Sequence, residues 1–440
     1  MEKIREELRV QKERAILVGA WLMGEAVYDK GLEELAALAQ SAGAIVVDKF
    51  QQKIRKIHPA TYIGKGKAEM LADRVKRFEA NVILFDNDLS PGQIRNLEEI
   101  INIKVLDRSE LILDIFATRA KTKQAMLQVE LAQLEYTYPR LTRMWSHLDT
   151  VTGAAGGGGA GGAGAVGAIG VRGTGEKQLE IDRRLVSKRI TDLKRELKEI
   201  DKRKLREIKG RKEMFKICLV GYTNAGKSTL MNALTDAGVV VVDRLFATID
   251  TRTRKWQLAG GPEVLLSDTV GFVRQLPHQL VASFKATLEE AVNADLLLHV
   301  VDVSSEDAQE QINSVNIVLT EIGCGEKPAI VLLNKSDAVG KAGQLETLGT
   351  VLRDALCISA KTGMGLVKLH DAVLEKYNGG TVAVQVTSSQ SNGKVQSFLR
   401  ANAVILSEKY IDSSAIIEAR IGKNQLSRLK RLGAQEVKIL

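Results

Sequence analysis

Cysteine is scarce in this chain. Three residues, Cys218, Cys324 and Cys357, are spread over 440 positions, a spacing that builds neither a disulfide framework nor a metal knuckle. Cys218 and Cys357 fall in apolar runs and read as core residues of a reduced protein. Long hydrophobic runs are missing as well. No stretch approaches the roughly 20 apolar residues of a membrane span, and the first residues, Met1-Glu-Lys-Ile-Arg-Glu-Glu, are charged where an apolar signal region would lie. These absences predict a soluble, cytoplasmic protein with no stable membrane association. Apolar residues still make up 45% of the chain, enough to supply cores for about three domains of ordinary size.

Net charge is absent from most of the chain too. The total is +9, and the stretch from Arg183 to Lys212 carries all of it, with 14 Lys/Arg against 5 Asp/Glu. The 49 basic and 49 acidic residues elsewhere cancel. A positive field confined to one element points to a polyanionic partner meeting that element.

Residues 1–107 alternate short apolar runs with amphipathic stretches. Ala15-Ile-Leu-Val-Gly, Ala44-Ile-Val-Val-Asp, Val82-Ile-Leu-Phe-Asp and Lys104-Val-Leu-Asp read as strands; Leu32 to Leu38, Lys67 to Phe78 and Pro91 to Ile101 read as helices. That alternation predicts a small parallel sheet covered on both faces. Thr61-Tyr-Ile-Gly64-Lys65-Gly66-Lys67 is either a phosphate-receiving loop or simply a basic turn at a helix start, since no buried strand precedes it.

From 108 to 212 the pattern is helical on both sides of an interruption. Leu127, Leu131, Leu134 and Tyr138 form one stripe; Val186, Ile190, Leu193, Leu197 and Ile200 form another. Between them, residues 153–170 hold 10 glycines and 6 alanines, with almost nothing to bury. Matching stripes favour an antiparallel helical hairpin with the glycine loop at its tip over a flexible linker between domains.

The chemistry begins at Lys216. The apolar run Ile217 to Val220 is followed by Gly221-Tyr222-Thr223-Asn224-Ala225-Gly226-Lys227-Ser228 and a helical continuation. This strand–loop–helix context is what the P-loop pattern requires. Its backbone N–H groups can close round a phosphate chain, Lys227 adds a full charge near the β/γ oxygens, and the Ser228 hydroxyl is placed to ligate Mg²⁺. Phe246-Ala247-Thr248-Ile249-Asp250 is the candidate first switch, with Thr248 as second metal ligand. Glu263 to Ser267 leads into Asp268-Thr269-Val270-Gly271, where Asp268 can hold Mg²⁺ through its water shell and the Gly271 N–H can reach a γ-phosphate. Asn334-Lys335-Ser336-Asp337 follows another apolar strand; the Asp337 carboxylate can accept from guanine N1–H and the exocyclic amine, which adenine cannot offer. Ser359-Ala360-Lys361 can bring backbone N–H near guanine O6. Four such stretches in this order, each ending a strand, predict a GTPase domain over 213–378, with Lys227, Thr248 and Gly271 as the catalytic set. Phe272 stands where many regulatory GTPases carry a water-orienting glutamine. Positioning of the attacking water then falls to another group, Gln275, His278 or a partner.

The chain resembles the HflX family of ribosome-associated GTPases over essentially its whole length. The resemblance is carried by Gly170-Val-Arg172-Gly-Thr174-Gly175-Glu176-Lys177-Gln178-Leu-Glu180-Ile-Asp182-Arg183-Arg184, by Leu245-Phe-Ala-Thr248, and by Asp268-Thr-Val-Gly-Phe-Val-Arg-Gln-Leu-Pro-His278. It implies an N-terminal α/β domain, a helical hairpin, a G domain and a small C-terminal domain. It also implies binding to rRNA of the large ribosomal subunit, with the hairpin loop near the peptidyl-transferase region, and dissociation of stalled or idle ribosomes. Thr174 and Lys177 depart from the family's usual proline and threonine. The family's N-terminal domain has been credited with adenine-nucleotide binding and RNA unwinding, yet no second P-loop occurs here. Asn224 matches the asparagine with which some related GTPases bind potassium.

Residues 379–440 read as strand, helix, strand, strand, helix, strand, a ferredoxin-like α+β unit. The fold expected is therefore α/β: a P-loop GTPase domain preceded by a small parallel α/β domain and a helical hairpin, and followed by a small α+β domain. A monomer is expected. The competing function is a regulatory GTPase of a non-ribosomal protein or membrane-associated pathway, with the basic helix only a solvated arm.

Overall fold

The computed structural model describes residues 13–24, 32–144, 172–209, 214–235, 245–246, 251–258, 262–274, 288–338, 354–411 and 414–440. By compactness the chain divides into two units. The first comprises Met1–Gly210 together with Val242–Asp250 and Arg274–Thr287; the second comprises Arg211–Val241, Thr251–Val273 and Leu288–Leu440.

The first unit opens with strands β1 (Arg14–Leu22), β2 (Ile45–Ile54), β3 (Val82–Phe85) and β4 (Lys104–Asp107), all parallel in the order β2-β1-β3-β4. Helices α1 (Glu33–Ala42), α2 (Lys65–Phe78) and α3 (Pro91–Ile101) connect them. Ala15 to Val18 and Val82 to Phe85 are buried throughout, because crossover helices cover both faces of a parallel sheet. Local chemistry sets the helix boundaries. Ser90 and Gln93 form a reciprocal capping box with Pro91 at the first helical position, while Gly43 closes α1 in a left-handed conformation. The Gly64-Lys65 turn does begin a helix, α2.

A polar side chain ends the edge strand β4. Asp107 caps α4 (Arg108–Arg119) by accepting from the Glu110 N–H at 2.9 Å, and also accepts from Arg140 at 2.9 Å and from the Tyr136 hydroxyl. This carboxylate is fully buried, and its ring of donors offsets the desolvation cost. Burial and the neighbouring Asp107 push the Glu110 carboxyl up to about 7.

Helices α5 (Lys123–Met144) and α6 (Arg172–Lys209) pack together along the two stripes read from the sequence. Leu127, Leu131 and Leu193 are buried at the contact, with Leu134, Ile190, Leu197 and Ile200 around them. Charged groups flank it. Arg189 donates twice to Glu130, at 2.7 and 2.9 Å, and Lys194 meets Glu135 at 2.8 Å. The 153–170 glycine segment lies outside the described residues.

In the second unit, β5 (Lys216–Gly221), β6 (Arg252–Gln257), β7 (Glu263–Asp268), β8 (Leu296–Asp302), β9 (Ala329–Asn334) and β10 (Leu356–Cys357) form a sheet in the order β10-β9-β8-β5-β7-β6. The β6–β7 pair is antiparallel and the other pairs are parallel. Helix α7 (Lys227–Thr235) leaves β5 from the middle of the sheet, α8 (Ala308–Glu321) follows β8, and α9 (Leu366–Asn378) follows the last loop. Ile217, Leu219, Leu298 and Val300 anchor the core with Leu230, Leu369 and Val373 from the helices.

The cysteine expectation is corrected here. Cys218 is buried in β5, but Cys357, on the short edge strand β10, is exposed and Cys324 is buried instead. An apolar run at a sheet edge has one side open, which periodicity alone does not reveal.

The chain ends in β11 (Thr381–Ser389), α10 (Gly393–Asn402), β12 (Ala403–Ile411), β13 (Ser414–Gly422), α11 (Leu426–Arg431) and β14 (Glu436–Ile439). Antiparallel pairing in the order β12-β13-β11-β14 gives the ferredoxin-like arrangement. Val384, Val386, Ile417, Ala419 and Ile421 pack on Val395, Leu399 and Leu429 of the helices.

The contact between α5 and α6 rests on few side chains, so it is sensitive to truncation. Leu193→Ala removes a fully buried side chain and is expected to cost about 2–4 kcal/mol locally. Hydrogen exchange should report faster exchange in α5 and α6 with β5 and β8 unchanged.

Candidate functional site

The site grows from the carboxyl ends of β5, β7, β9 and β10, where an open α/β sheet places its ligands. The loop after β5 folds back on itself through Lys227. This buried ammonium donates to the carbonyls of Gly221 at 3.0 Å and Tyr222 at 2.7 Å, so its charge is held over the loop's concavity. Burial draws the Lys227 pKa down to about 8, with Asp268 opposing that shift. Gly226 has φ +95, and a Cβ there would stand 2.3 Å from Asn334 Nδ2, so only glycine fits.

The Asp268–Gly271 stretch lies directly against this loop. A Cβ on Gly271 would meet the Thr223 Cα at 2.7 Å and the Lys227 Nζ at 2.9 Å. The Phe272 N–H donates to the Gly221 carbonyl at 3.2 Å, and the Thr223 N–H donates to the Phe272 carbonyl at 2.7 Å. The Thr269 hydroxyl donates to the Leu219 carbonyl at 2.7 Å. Phe272 thus acts through its backbone, with its ring buried. Ser228 Oγ donates to Asp268 Oδ2 at 2.7 Å, so two oxygen groups suited to a hard divalent cation stand side by side.

At the other end of the site, Asn334 bridges two loops. Its Nδ2 donates to the Ala225 carbonyl at 2.8 Å, and its Oδ1 accepts from the Ala360 N–H at 2.9 Å. The Ser336 hydroxyl donates to the Ile358 carbonyl at 2.6 Å. Lys335, in a left-handed conformation, pairs with Asp302 at 2.6 Å. Asp337 is exposed, and a hydrogen bond from Ser359 holds its carboxyl below the usual range.

The structure therefore brings together Gly221 to Ser228, Asp268 to Gly271, Asn334 to Asp337 and Ser359 to Lys361. Phe246, expected near the nucleotide, packs its ring on Phe116 within the first unit, with centroids 4.5 Å apart. Ala247, Thr248, Ile249 and Asp250 lie outside the described residues, as do Gln275 and His278. Sequence reading missed Asp302 as the partner of Lys335, and it missed the backbone stitching by Phe272. The first was visible as an acid ending β8; the second leaves no side-chain signal.

A doubly wound sheet with a P-loop, an Asp-x-x-Gly loop laid against it and an Asn-Lys-x-Asp loop bridged to it defines a P-loop GTPase: the protein binds guanine nucleotide and hydrolyses GTP. Known proteins agree. Three family models match in succession: "GTP-binding GTPase N-terminal" over residues 29–117, "GTP-binding GTPase Middle Region" over 119–211 and "50S ribosome-binding GTPase" over 216–335. A GTPase HflX of Lacrimispora saccharolytica is 42% identical over 425 residues, covering 94% of this chain and 95% of that protein. The GTPase HflX of Escherichia coli is 38% identical over 416 residues, covering 93% of each. A solved GTP-binding protein of Sulfolobus solfataricus in complex with GDP is 26% identical, covering 83% of this chain and 99% of that one, with a TM-score of 0.42. The chain belongs to the HflX family of GTPases.

Asn334→Ala would break both bonds that join the phosphate end of the site to the base end. Two lost buried hydrogen bonds should cost about 2–3 kcal/mol in guanine nucleotide affinity, roughly 30- to 150-fold. Calorimetric titration with GDP would measure this, and an affinity within threefold of wild type would contradict it.

Proposed function

We propose that the protein is a GTP-switched factor that binds the large ribosomal subunit through rRNA and dissociates stalled or idle ribosomes. The observation that carries this reading is where the charge sits. Among the described residues of α6, Arg183, Arg184 and Lys188 are exposed and line, with Tyr138, Ser187 and Thr191, a cavity of about 480 Å³. Exposed cations beside hydroxyl donors suit phosphate oxygens. The description "50S ribosome-binding GTPase" of the matching family model supports the same partner. Arg189 is excluded from the anchor, since Glu130 and Glu196 already engage it.

In this reading α5 and α6 form an antiparallel hairpin whose tip is the 153–170 loop. The pairing of Tyr138 with Arg183 near that end, and of Leu127 and Leu131 with Leu193 further away, supports it. The working domains are 1–107, 108–212, 213–378 and 379–440. The protein acts in the cytoplasm as a monomer without stable membrane association; no helix among the described residues is long and apolar enough to cross a membrane.

Within the G domain, Gly221 to Ser228 cradle the phosphates, Ala247 to Asp250 and Asp268 to Gly271 follow the γ-phosphate, and Asn334 to Asp337 with Ser359 to Lys361 take the base. Ser228, Thr248 and Asp268 would hold Mg²⁺, which when bound offsets phosphate charge. The adjacent hard oxygens of Ser228 and Asp268 fit that ion. Asn224, left-handed at φ +61, is the candidate potassium contact. Lys227 holds positive charge at the β/γ oxygens, and the Gly271 N–H orients the γ-phosphate. Phe272 offers no polar side chain, so hydrolysis by the isolated protein is slow and the subunit supplies the stimulus.

Two measurements test this. With Arg183, Arg184 and Lys188 all changed to Gln, pelleting with large subunits and a GTP analogue should weaken. The slope of log affinity against log salt should flatten by up to about one unit per lost phosphate contact. Binding equal to wild type at every salt concentration would favour a non-ribosomal role. Asp337→Asn should lose GTP affinity but improve binding of xanthosine triphosphate, whose carbonyl can accept from the new amide; unchanged preference would remove Asp337 from base reading.

A further inference from the structure

Arg274 follows Gly271 by three residues in the chain, and within the first unit it is held by two carboxylates. Its backbone N–H donates to Glu34 Oε1 at 3.3 Å and its Nη2 donates to Asp86 Oδ2 at 3.0 Å. Its Nε lies 3.7 Å from Glu34 Oε2. A second guanidinium closes the ring: Arg108 Nη2 stands 3.0 Å from Glu34 Oε1, and its Nη1 donates to Asp86 Oδ1. Two arginines and two carboxylates thus alternate with no net charge. The Arg108 and Asp86 side chains are 1% and 6% exposed.

The same helix makes a second capture. Arg108 opens α4; near its other end Phe116 packs on Phe246, and Arg119 donates to the Leu245 carbonyl. Phe246 precedes Thr248 by two residues. One 12-residue helix therefore holds the segment leading to the candidate switch threonine at its end and, at its start, shares Glu34 and Asp86 with Arg274 of the segment leaving the Asp-x-x-Gly loop.

We propose that α4 and the Glu34–Asp86–Arg108 cluster couple the nucleotide state to the N-terminal α/β domain, with Arg274 as the positioning residue. A γ-phosphate orders the segments on either side of it and releases them on hydrolysis. The displacement of Gly271 is transmitted along three residues to Arg274. Arg274 does not leave the cluster without cost, because that would leave the buried Asp86 and the half-buried Glu34 with one guanidinium of the two. The cluster follows as a body and carries α4 with it. The direction is reciprocal: whatever binds the N-terminal domain and shifts α4 biases GTP against GDP by the same factor. This rests on the GTPase activity and is independent of the ribosomal reading.

Hydrogen exchange on the full chain, with GDP and with a non-hydrolysable GTP analogue, tests it without ribosomes. In the wild type, amides of 83–88 and 108–119 should differ several-fold in exchange rate between the two nucleotides. In Arg274→Gln that difference should vanish, with analogue affinity within about threefold of wild type and nucleotide-dependent protection of 221–228 retained. Glu34→Gln, which leaves Arg274 in place but unbalances the ring, should give the same loss. Equal exchange of 108–119 in both nucleotides in the wild type would overturn the proposal. A full nucleotide-dependent difference in either variant would do so as well.

Discussion

A glycine-containing loop is among the most mobile pieces a chain can offer, yet a phosphate site needs it held in one shape. Asn334 meets that constraint. Its amide ties the Ala225 carbonyl of the P-loop to the Ala360 N–H of the last loop, inside a buried environment. Both bonds are local to one side chain, so the P-loop and the last loop are fixed relative to each other at this point. Lys227, Thr269 and the Phe272 backbone add further ties to the backbone of β5 or the loop that follows it. Gly226 and Gly271 are required because these ties bring chains closer than any side chain allows.

The same physics divides the charges of the first unit into two kinds. Those inside are paired: Asp107 with Arg140, Asp86 and Glu34 with Arg108 and Arg274. A buried ion costs too much to stand alone. Arg183, Arg184 and Lys188 of α6 face solvent, where a cation without an acid partner costs little and stays available to a polyanion, while Lys194, Arg195 and Lys202 meet acids. Arg189 lies between these cases: exposed, it is nonetheless claimed by two glutamates, one on each helix.

Wherever chemistry follows from local spacing, the sequence was informative. The P-loop, the Asp-x-x-Gly and Asn-Lys-x-Asp stretches and the two leucine stripes are short-range patterns, and each sits on the element its period predicts. Cys357 shows the limit: an apolar run reads the same in the middle of a sheet as at its edge, and only strand order places β10 outermost. The Arg274–Glu34 contact shows a harder one, since its partners are 240 residues apart and, although Arg274 lies in the Asp268–His278 stretch, nothing in either segment names its partner.

The amino-acid sequence by itself determined the class of chemistry, the order of the nucleotide-binding loops and the helix that carries the charge. Backbone periodicity and residue type act over a few positions, and a few positions suffice for these. Tertiary structure alone decided which cations of α6 remain free, which cysteine is exposed, and that Phe272 works through its backbone. It also decided that one short helix of the first unit holds residues 245 and 246 and shares its carboxylate partners with residue 274. Those outcomes depend on desolvation and on the closure of long loops, which are properties of the folded chain and of no segment within it.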